Sequence, residues 1–217
     1  MVASRNLLFM TTWHPATLTR GDSKAKVTRS FYLHVQKAVE IALGQRPDAP
    51  PRIIENPTAA EAEKVFRKWK EEGFAVDIET PSLSDHKIIS LAVSGAWDLA
   101  MVWDMELPST KRRLNPLRKY LKNGVRKVFQ NGEFDITILE KNGFEINRES
   151  CWDTMIENSI LFPDEPVNLS FLTSLVTDVE AWKHLRGDRI LFYNALDACH
   201  DWRVYVTSED YYQEYER

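Results

Sequence analysis

Hydrophobic positions along this chain change period several times, and each change marks an element. Val27, Phe31, Val35, Ala38, Val39, Ala42 and Leu43 recur at helical spacing and predict an amphipathic helix stopped by Gly44. Ahead of it, residues 6–12 form a short apolar run that predicts a strand. Pro47, Pro50 and Pro51 then fall within one five-residue stretch, which no helix continues through. We therefore read 1–45 as a small N-terminal unit, 46–52 as a Pro-rich linker and 53–217 as the main domain. One strand and one helix cannot enclose a core, so the N-terminal unit must dock on something.

The main domain opens with Thr58-Ala-Ala-Glu61, a capping box, followed by an apolar stripe of Ala62, Val65, Phe66 and Trp69 that Gly73 stops. Apolar runs at 74–79, 88–93 and 99–103 predict three strands, and the short turns between them predict an antiparallel meander. A helix over 111–122 carries Leu114, Leu117 and Leu121. A strand at 126–130 and a helix over about 133–141 follow, then helices over about 153–161, 168–175 and 188–207. Strands first and strand–helix alternation afterwards predict an α/β domain with a mixed sheet flanked by helices.

Composition narrows the class. The 217 residues carry 28 Lys+Arg against 32 Asp+Glu, and 43% are hydrophobic, which fits a globular domain and excludes global disorder. Cys151 and Cys199 cannot build a disulfide framework, and no CxxC pair offers a structural zinc site, so a reducing cytoplasm is expected. The longest early apolar run, Leu7–Met10, is too short for a signal core or a membrane span. A net charge of −4 excludes a basic nucleic-acid coat over the whole surface.

Three carboxylate groupings carry the candidate chemistry. In Asp77-Ile78-Glu79, at the end of a predicted strand, alternation puts both acids on one face. Two such acids repel unless a cation lies between them, and hard oxygen ligands suit Mg²⁺ or Mn²⁺. A solvated strand end is the plain alternative. Asp135 falls in the first turn of the helix after Asn131-Gly132. There it would also favour the helix dipole, with Asn131 a simple N-cap. Tyr193 and Asp197 stand four residues apart on one helix face, a spacing that also arises by chance.

Taken in order, these groupings resemble the three motifs of the DEDD superfamily of 3′–5′ exonucleases. Asp77 and Glu79 match the first, Asn131 and Asp135 the second, and Tyr193 and Asp197 the third. Position 192 is Phe where the histidine branch has His, so the match is to the tyrosine branch. Residues 151–161 and 168–172 are similar to the linking helices of family A DNA polymerase proofreading domains, and Leu83 stands where those domains have a leucine that wedges against the terminal base.

The resemblance covers about 73–206 and implies a ribonuclease H-like fold with a mixed five-stranded sheet flanked by helices, preceded by a short strand–helix extension. It implies two Mg²⁺ or Mn²⁺ ions, bridged by Asp77, with Glu79 and Asp197 at one and Asp135 at the other. Two cations about 3.5–4 Å apart stabilise both the attacking and departing oxygens of a phosphodiester. Tyr193 would orient the attacking water, since a phenol with pKa near 10 is poorly matched to base catalysis at neutral pH. Leu83, Asn131 and Thr80 would contact substrate. The implied partner is a single-stranded DNA 3′ end, and the implied activity is exonucleolytic proofreading in a bacterium or phage-infected host. No polymerase palm fits after Tyr205, so that activity would come from a separate chain or a further C-terminal part; 211–217 reads as an interrupted helix. The alternative is a non-catalytic DNA-docking module that retains the fold.

Residues 111–127 hold eight Lys and Arg and no acid, and Lys111, Arg118 and Lys122 share a helical face, which offers a phosphate-tracking stripe or a merely solvated face. Trp97, Trp103 and Trp152 are expected to pack the core rather than stack on bases. Residues 8–20, with His14-Pro15-Ala16, and the helix after them resemble the C-terminal tail of a uracil-DNA glycosylase, with His14 matching its uracil-contacting histidine. The water-activating half of such an enzyme is absent from the sequence, so a remnant without glycosylase activity is expected.

Overall fold

A computed structural model describes residues 12, 14–16, 23–44, 48–163, 165–177, 179, 182–187 and 189–215. The elements in chain order are α1 (Ser23–Ala42), β1 (Arg52–Glu55), α2 (Ala59–Trp69), β2 (Phe74–Glu79), β3 (Ser90–Ser94), β4 (Leu99–Asp104), α3 (Thr110–Arg113), α4 (Asn115–Lys122), β5 (Lys127–Phe129), α5 (Gly132–Lys141), β6 (Cys151–Asp153), α6 (Thr154–Leu161), α7 (Leu169–Val176) and α8 (Ile190–Tyr215). Short 3₁₀ turns lie at Arg148–Ser150 and Lys183–Leu185. The predicted strand at 6–12 lies, apart from Thr12, outside the described residues.

One mixed sheet runs in the order β1-β4-β3-β2-β5-β6. Strands β2, β3 and β4 form the predicted antiparallel meander, while β1 on β4, β5 on β2 and β6 on β5 are parallel. The sheet therefore has six strands where five were expected. Arg52–Glu55 begins at the last residue of the expected linker and offers only Ile53 and Ile54 as an apolar signal. Cys151–Asp153 is three residues long and none of them is buried, so it carries no apolar signal of a strand. Both strands exist because a neighbouring parallel edge pairs with them. The predicted helix over 111–122 is two helices that meet at Leu114, with Pro116 in the first turn of the second, where its missing N–H costs nothing.

The capping box forms as predicted. Glu61 N–H donates to Thr58 Oγ1, and the Thr58 N–H donates to Glu61 Oε2 at 2.8 Å. Alternation along β2 then separates two layers. Phe74, Val76 and Ile78 join a core with Phe66 and Trp69 of α2 and Leu117, Tyr120 and Leu121 of α4. Ala75, on the other face, packs with Trp202 and Tyr205 of α8. Where α8 crosses β3 and β4, that second face carries mostly small side chains: Ala92, Ala100 and Val102 meet Ala195, Ala198 and Cys199. Close approach of α8 to the sheet follows from this lack of bulk.

Helix α1 does not dock as its apolar periodicity predicted. Ser30 and His34 are buried, whereas Val35, Val39 and Leu43 are exposed. The contact with α7 is polar: His34 Nε2 lies 3.2 Å from Ser174 Oγ, and Lys37 Nζ donates to the Ser174 carbonyl at 2.7 Å. No helix among the described residues is long and apolar enough to cross a membrane.

Gly73 sets the start of the central strand. Its φ is +110°, and a Cβ there would lie 2.7 Å from the Arg126 carbonyl oxygen on neighbouring β5's approach. Gly73→Ala is expected to lower stability by about 1–3 kcal/mol, whereas Gly124→Ala, where a Cβ meets nothing within 4 Å, stays within about 0.5 kcal/mol of wild type. Urea unfolding midpoints of the two variants check the difference.

Candidate active site

Three of the predicted acids converge where β2 faces α8. Asp77, Glu79 and Asp197 each offer a carboxylate oxygen, and these oxygens all lie within 4.8 Å of one another. Strand alternation supplies the first two, and the alanine-lined contact of α8 supplies the third: Asp77 pairs across the ladder with Ala92, whose small side chain leaves room for the helix. Asp135 approaches from α5 and accepts a hydrogen bond from the Ile78 N–H of β2 at 3.3 Å. Gly132 makes that approach feasible, because a Cβ there would lie 2.6 Å from Phe129 Cβ. Asn131 takes the left-handed conformation, φ +62°, so it caps α5 through its backbone position and not through a side-chain hydrogen bond.

Concentrated negative charge in a dry place dominates the electrostatics. Burial, then the charges of Asp197, Asp135 and Glu79, push the Asp77 carboxyl well above the usual range. Burial also raises Asp135 well above that range and raises Glu79 despite the opposing Arg186 charge. Tyr193, buried one helical turn before Asp197, has its phenol pushed upward by burial and the Asp197 charge, so it remains protonated. Hard carboxylate donors that repel one another are the donor set a divalent cation needs, and the residues present fit such an ion.

Thr80 is buried and donates to the Ser82 carbonyl at 2.9 Å, while the Leu83 side chain stands 84% exposed just beyond it. The structure thus brings Asp77, Glu79, Asp135, Tyr193 and Asp197 together. Several neighbours escaped the sequence reading. Asn194 Nδ2 donates to Asp77 Oδ2 at 2.5 Å, and Ser90 Oγ donates to Asn194 Oδ1 at 2.6 Å, which fixes the amide's orientation. Asp201 is buried one turn beyond Asp197, where burial pushes its carboxyl up to about 8 and the Thr154 hydroxyl lies 2.5 Å away. Its i+4 spacing from Asp197 was the available signal. Asp153 accepts from the N–H groups of Asn131, Gly132 and Met155 and so joins the starts of α5 and α6. Lys183 and Arg186 contact Asp197 and Glu79, and nothing in their spacing announced this.

The basic stretch resolves toward local pairing. Arg118 donates to the Gly143 carbonyl and covers the Phe144 ring, Lys122 pairs with Glu145 at 2.6 Å, and Lys119 pairs with Glu63 at 2.9 Å. Lys127 is wholly buried and donates to Ser150 Oγ. Trp103 is buried as expected, but Trp97 and Trp152 are partly exposed.

Residues 52–198 match the 3′-5′ exonuclease family, more than half of the chain, and the chain belongs to that family. No curated protein matches the sequence. Among solved structures, NrnC of Brucella melitensis is similar at 20% identity and a TM-score of 0.60, over 78% of this chain and 85% of that one. Escherichia coli RNase D, described as an exoribonuclease involved in structured RNA processing, is 15% identical with a TM-score of 0.56, over 75% of this chain and 46% of that one. The POL domain of Pol1 from M. smegmatis, in complex with DNA primer-template and dNTP, is 15% identical with a TM-score of 0.58, over 76% of this chain and 28% of that one. At these identities the likeness is one of fold, a nuclease fold of the ribonuclease H-like type.

Raised carboxyl pKa values carry a stability consequence. Above the unfolded carboxyl range near pH 4, the folded chain holds protons that the unfolded chain has released. Stability therefore falls as pH rises from there through the folded pKa values. Asp77→Asn, studied in excess chelator, is expected to raise the thermal midpoint, and more at pH 8 than at pH 5. A midpoint below wild type at both pH values would show instead that the Asp77 charge stabilises the fold.

Proposed function

We propose that this chain is a divalent-metal-dependent 3′–5′ exonuclease that removes nucleotides from single-stranded DNA 3′ ends, as a proofreading activity in the cytoplasm. The convergence of Asp77, Glu79 and Asp197 within 4.8 Å carries the reading. Asp77, Glu79, Asp135 and Asp197 would hold two Mg²⁺ or Mn²⁺ ions, which supply charge stabilisation at the attacking and departing oxygens when bound. Tyr193, kept a phenol, orients the attacking water by a hydrogen bond and does not remove its proton. Leu83, free at the rim, presses against the terminal base, and Thr80 and Asn131 line its approach. Residues 53–217 form the exonuclease domain, linked through 46–52 to an N-terminal glycosylase-like remnant that includes His14. The motif order and the linking helices shared with family A proofreading domains support DNA as substrate. Fold neighbours, one solved with a DNA primer-template and one described as an exoribonuclease, make the sugar the point to test.

The decisive assay uses single-stranded DNA and RNA oligonucleotides of one sequence, labelled at either end, with Mg²⁺. The 5′ label is expected to report a ladder shortened from the 3′ end, faster on DNA, and a uracil-containing strand is expected to acquire no abasic sites. Asp77→Ala is expected to abolish the ladder; activity within tenfold of wild type would remove Asp77 from the site, and binding without cleavage by wild type would favour a docking module.

Two positions one helical turn apart are expected to separate. Tyr193→Phe removes one catalytic hydrogen bond, for about 2–4 kcal/mol or a 30- to 1000-fold slower single turnover, with Mn²⁺ affinity preserved. Asp197→Asn is expected to lower both. Calorimetric Mn²⁺ titration of the two variants distinguishes a water-orienting tyrosine from one that builds the metal site.

A further inference from the structure

Two cations from the stretch before α8 reach into the acid cluster. Lys183 Nζ donates to both Asp197 oxygens, at 2.8 and 2.9 Å, and lies 3.1 Å from the Tyr193 hydroxyl. Arg186 donates to Glu79 Oε2 at 3.0 Å. The acids are the buried partners: the Lys183 side chain is 41% exposed against 5% for Asp197, and Arg186 is 58% exposed against 9% for Glu79. Trp182 fixes the stretch from below, with its indole N–H donating to Asp197 Oδ1 at 2.5 Å and its ring 4.1 Å from that of His200.

This arrangement sets up a competition. Asp197 has two oxygens, and Lys183 engages both. A divalent cation on Asp197 and an ammonium on the same oxygens repel each other, so one must withdraw. Withdrawal is open to Lys183, because its half-exposed side chain swings about a flexible stem and its charge regains water. A phosphodiester entering the acid cluster brings negative charge to the same rim. The released ammonium, already beside Tyr193, is then placed to meet it.

Resting on the exonuclease reading, we propose that Lys183 is a displaceable counter-cation of Asp197 that yields to the divalent ion and then binds the phosphate of the 3′-terminal nucleotide. Arg186 plays the same part at Glu79 from the next turn of the chain. Lys183 thereby also frees the Tyr193 hydroxyl for the water that it orients.

Calorimetry on the full chain tests this without turnover. Wild type, Lys183→Met, Lys183→Arg and the surface control Lys87→Met are stripped with chelator and titrated with Mn²⁺, then with thymidine 5′-monophosphate in saturating Mn²⁺. Loss of one competing charge across a half-exposed site is expected to tighten Mn²⁺ binding about tenfold in Lys183→Met and to weaken nucleotide binding about tenfold. Lys183→Arg and Lys87→Met are expected to stay within about threefold of wild type, the usual scatter of such contributions. Opposite shifts of the two affinities cannot come from a damaged fold, which would weaken both. Unchanged or weaker Mn²⁺ binding in Lys183→Met, or unchanged nucleotide binding, overturns the proposal while leaving wild-type trimming of 3′ ends intact. A wild type that binds no Mn²⁺ and trims no 3′ end overturns the exonuclease reading itself.

Discussion

Everything in the candidate site depends on how closely α8 lies against the sheet. Ala195, Ala198 and Cys199 meet Ala92 and Ala100, so the helix and the strands approach with little bulk between them. That contact brings Asp197 against Asp77 and Glu79 of the central strand. A larger side chain in the layer would separate the acids and restore their ordinary behaviour. Packing of small apolar residues is thus the physical origin of an electrostatic site, and the cost of crowding like charges is carried by the large core on the other face of β2.

Charge repulsion is then managed by partners of several kinds. Asn194, held by Ser90, donates to Asp77. A backbone N–H of β2 donates to Asp135. Lys183 and Arg186 supply positive charge at Asp197 and Glu79. Burial first, and then the repulsion these partners leave, hold the Asp77 and Asp135 carboxyls well above the usual range, and burial pushes Asp201 beside them up to about 8. Helix starts take part as well, since one carboxylate, Asp153, serves the first N–H groups of both α5 and α6 and so ties the Asp135 helix to the sheet's last strand.

Surface chemistry followed a different logic from the site. The run of Lys and Arg over 111–127 left a phosphate-tracking stripe and a merely solvated face equally open, because a sequence shows charges without their partners. Arg118, Lys119 and Lys122 find partners in Gly143, Glu63 and Glu145, each distant along the chain. Helix α1 shows the reverse: Val35 and Val39 of its apolar face are exposed, and His34 and Lys37 make the contact with α7. Periodicity tells which residues share a face, not which face a neighbour selects.

Local chemistry was legible from the sequence by itself. The capping box at Thr58, the stop at Gly73, the alternation that pairs Asp77 with Glu79, and the four-residue step from Tyr193 to Asp197 are short-range features fixed by backbone period and steric rule. The order of the acid motifs along the chain was enough to point to the family, and the short turns between apolar runs to the meander around β2. Strands β1 and β6 were not legible, because Arg52–Glu55 and Cys151–Asp153 are short and mostly polar or half-exposed, unlike the equally short but wholly buried β5, and become strands only when an edge offers hydrogen bonds. Asn194, Lys183 and Arg186 were hidden for the same reason. A side chain's partner more than a few residues away is chosen by the packing of α8 on the sheet, and only the tertiary structure decides that.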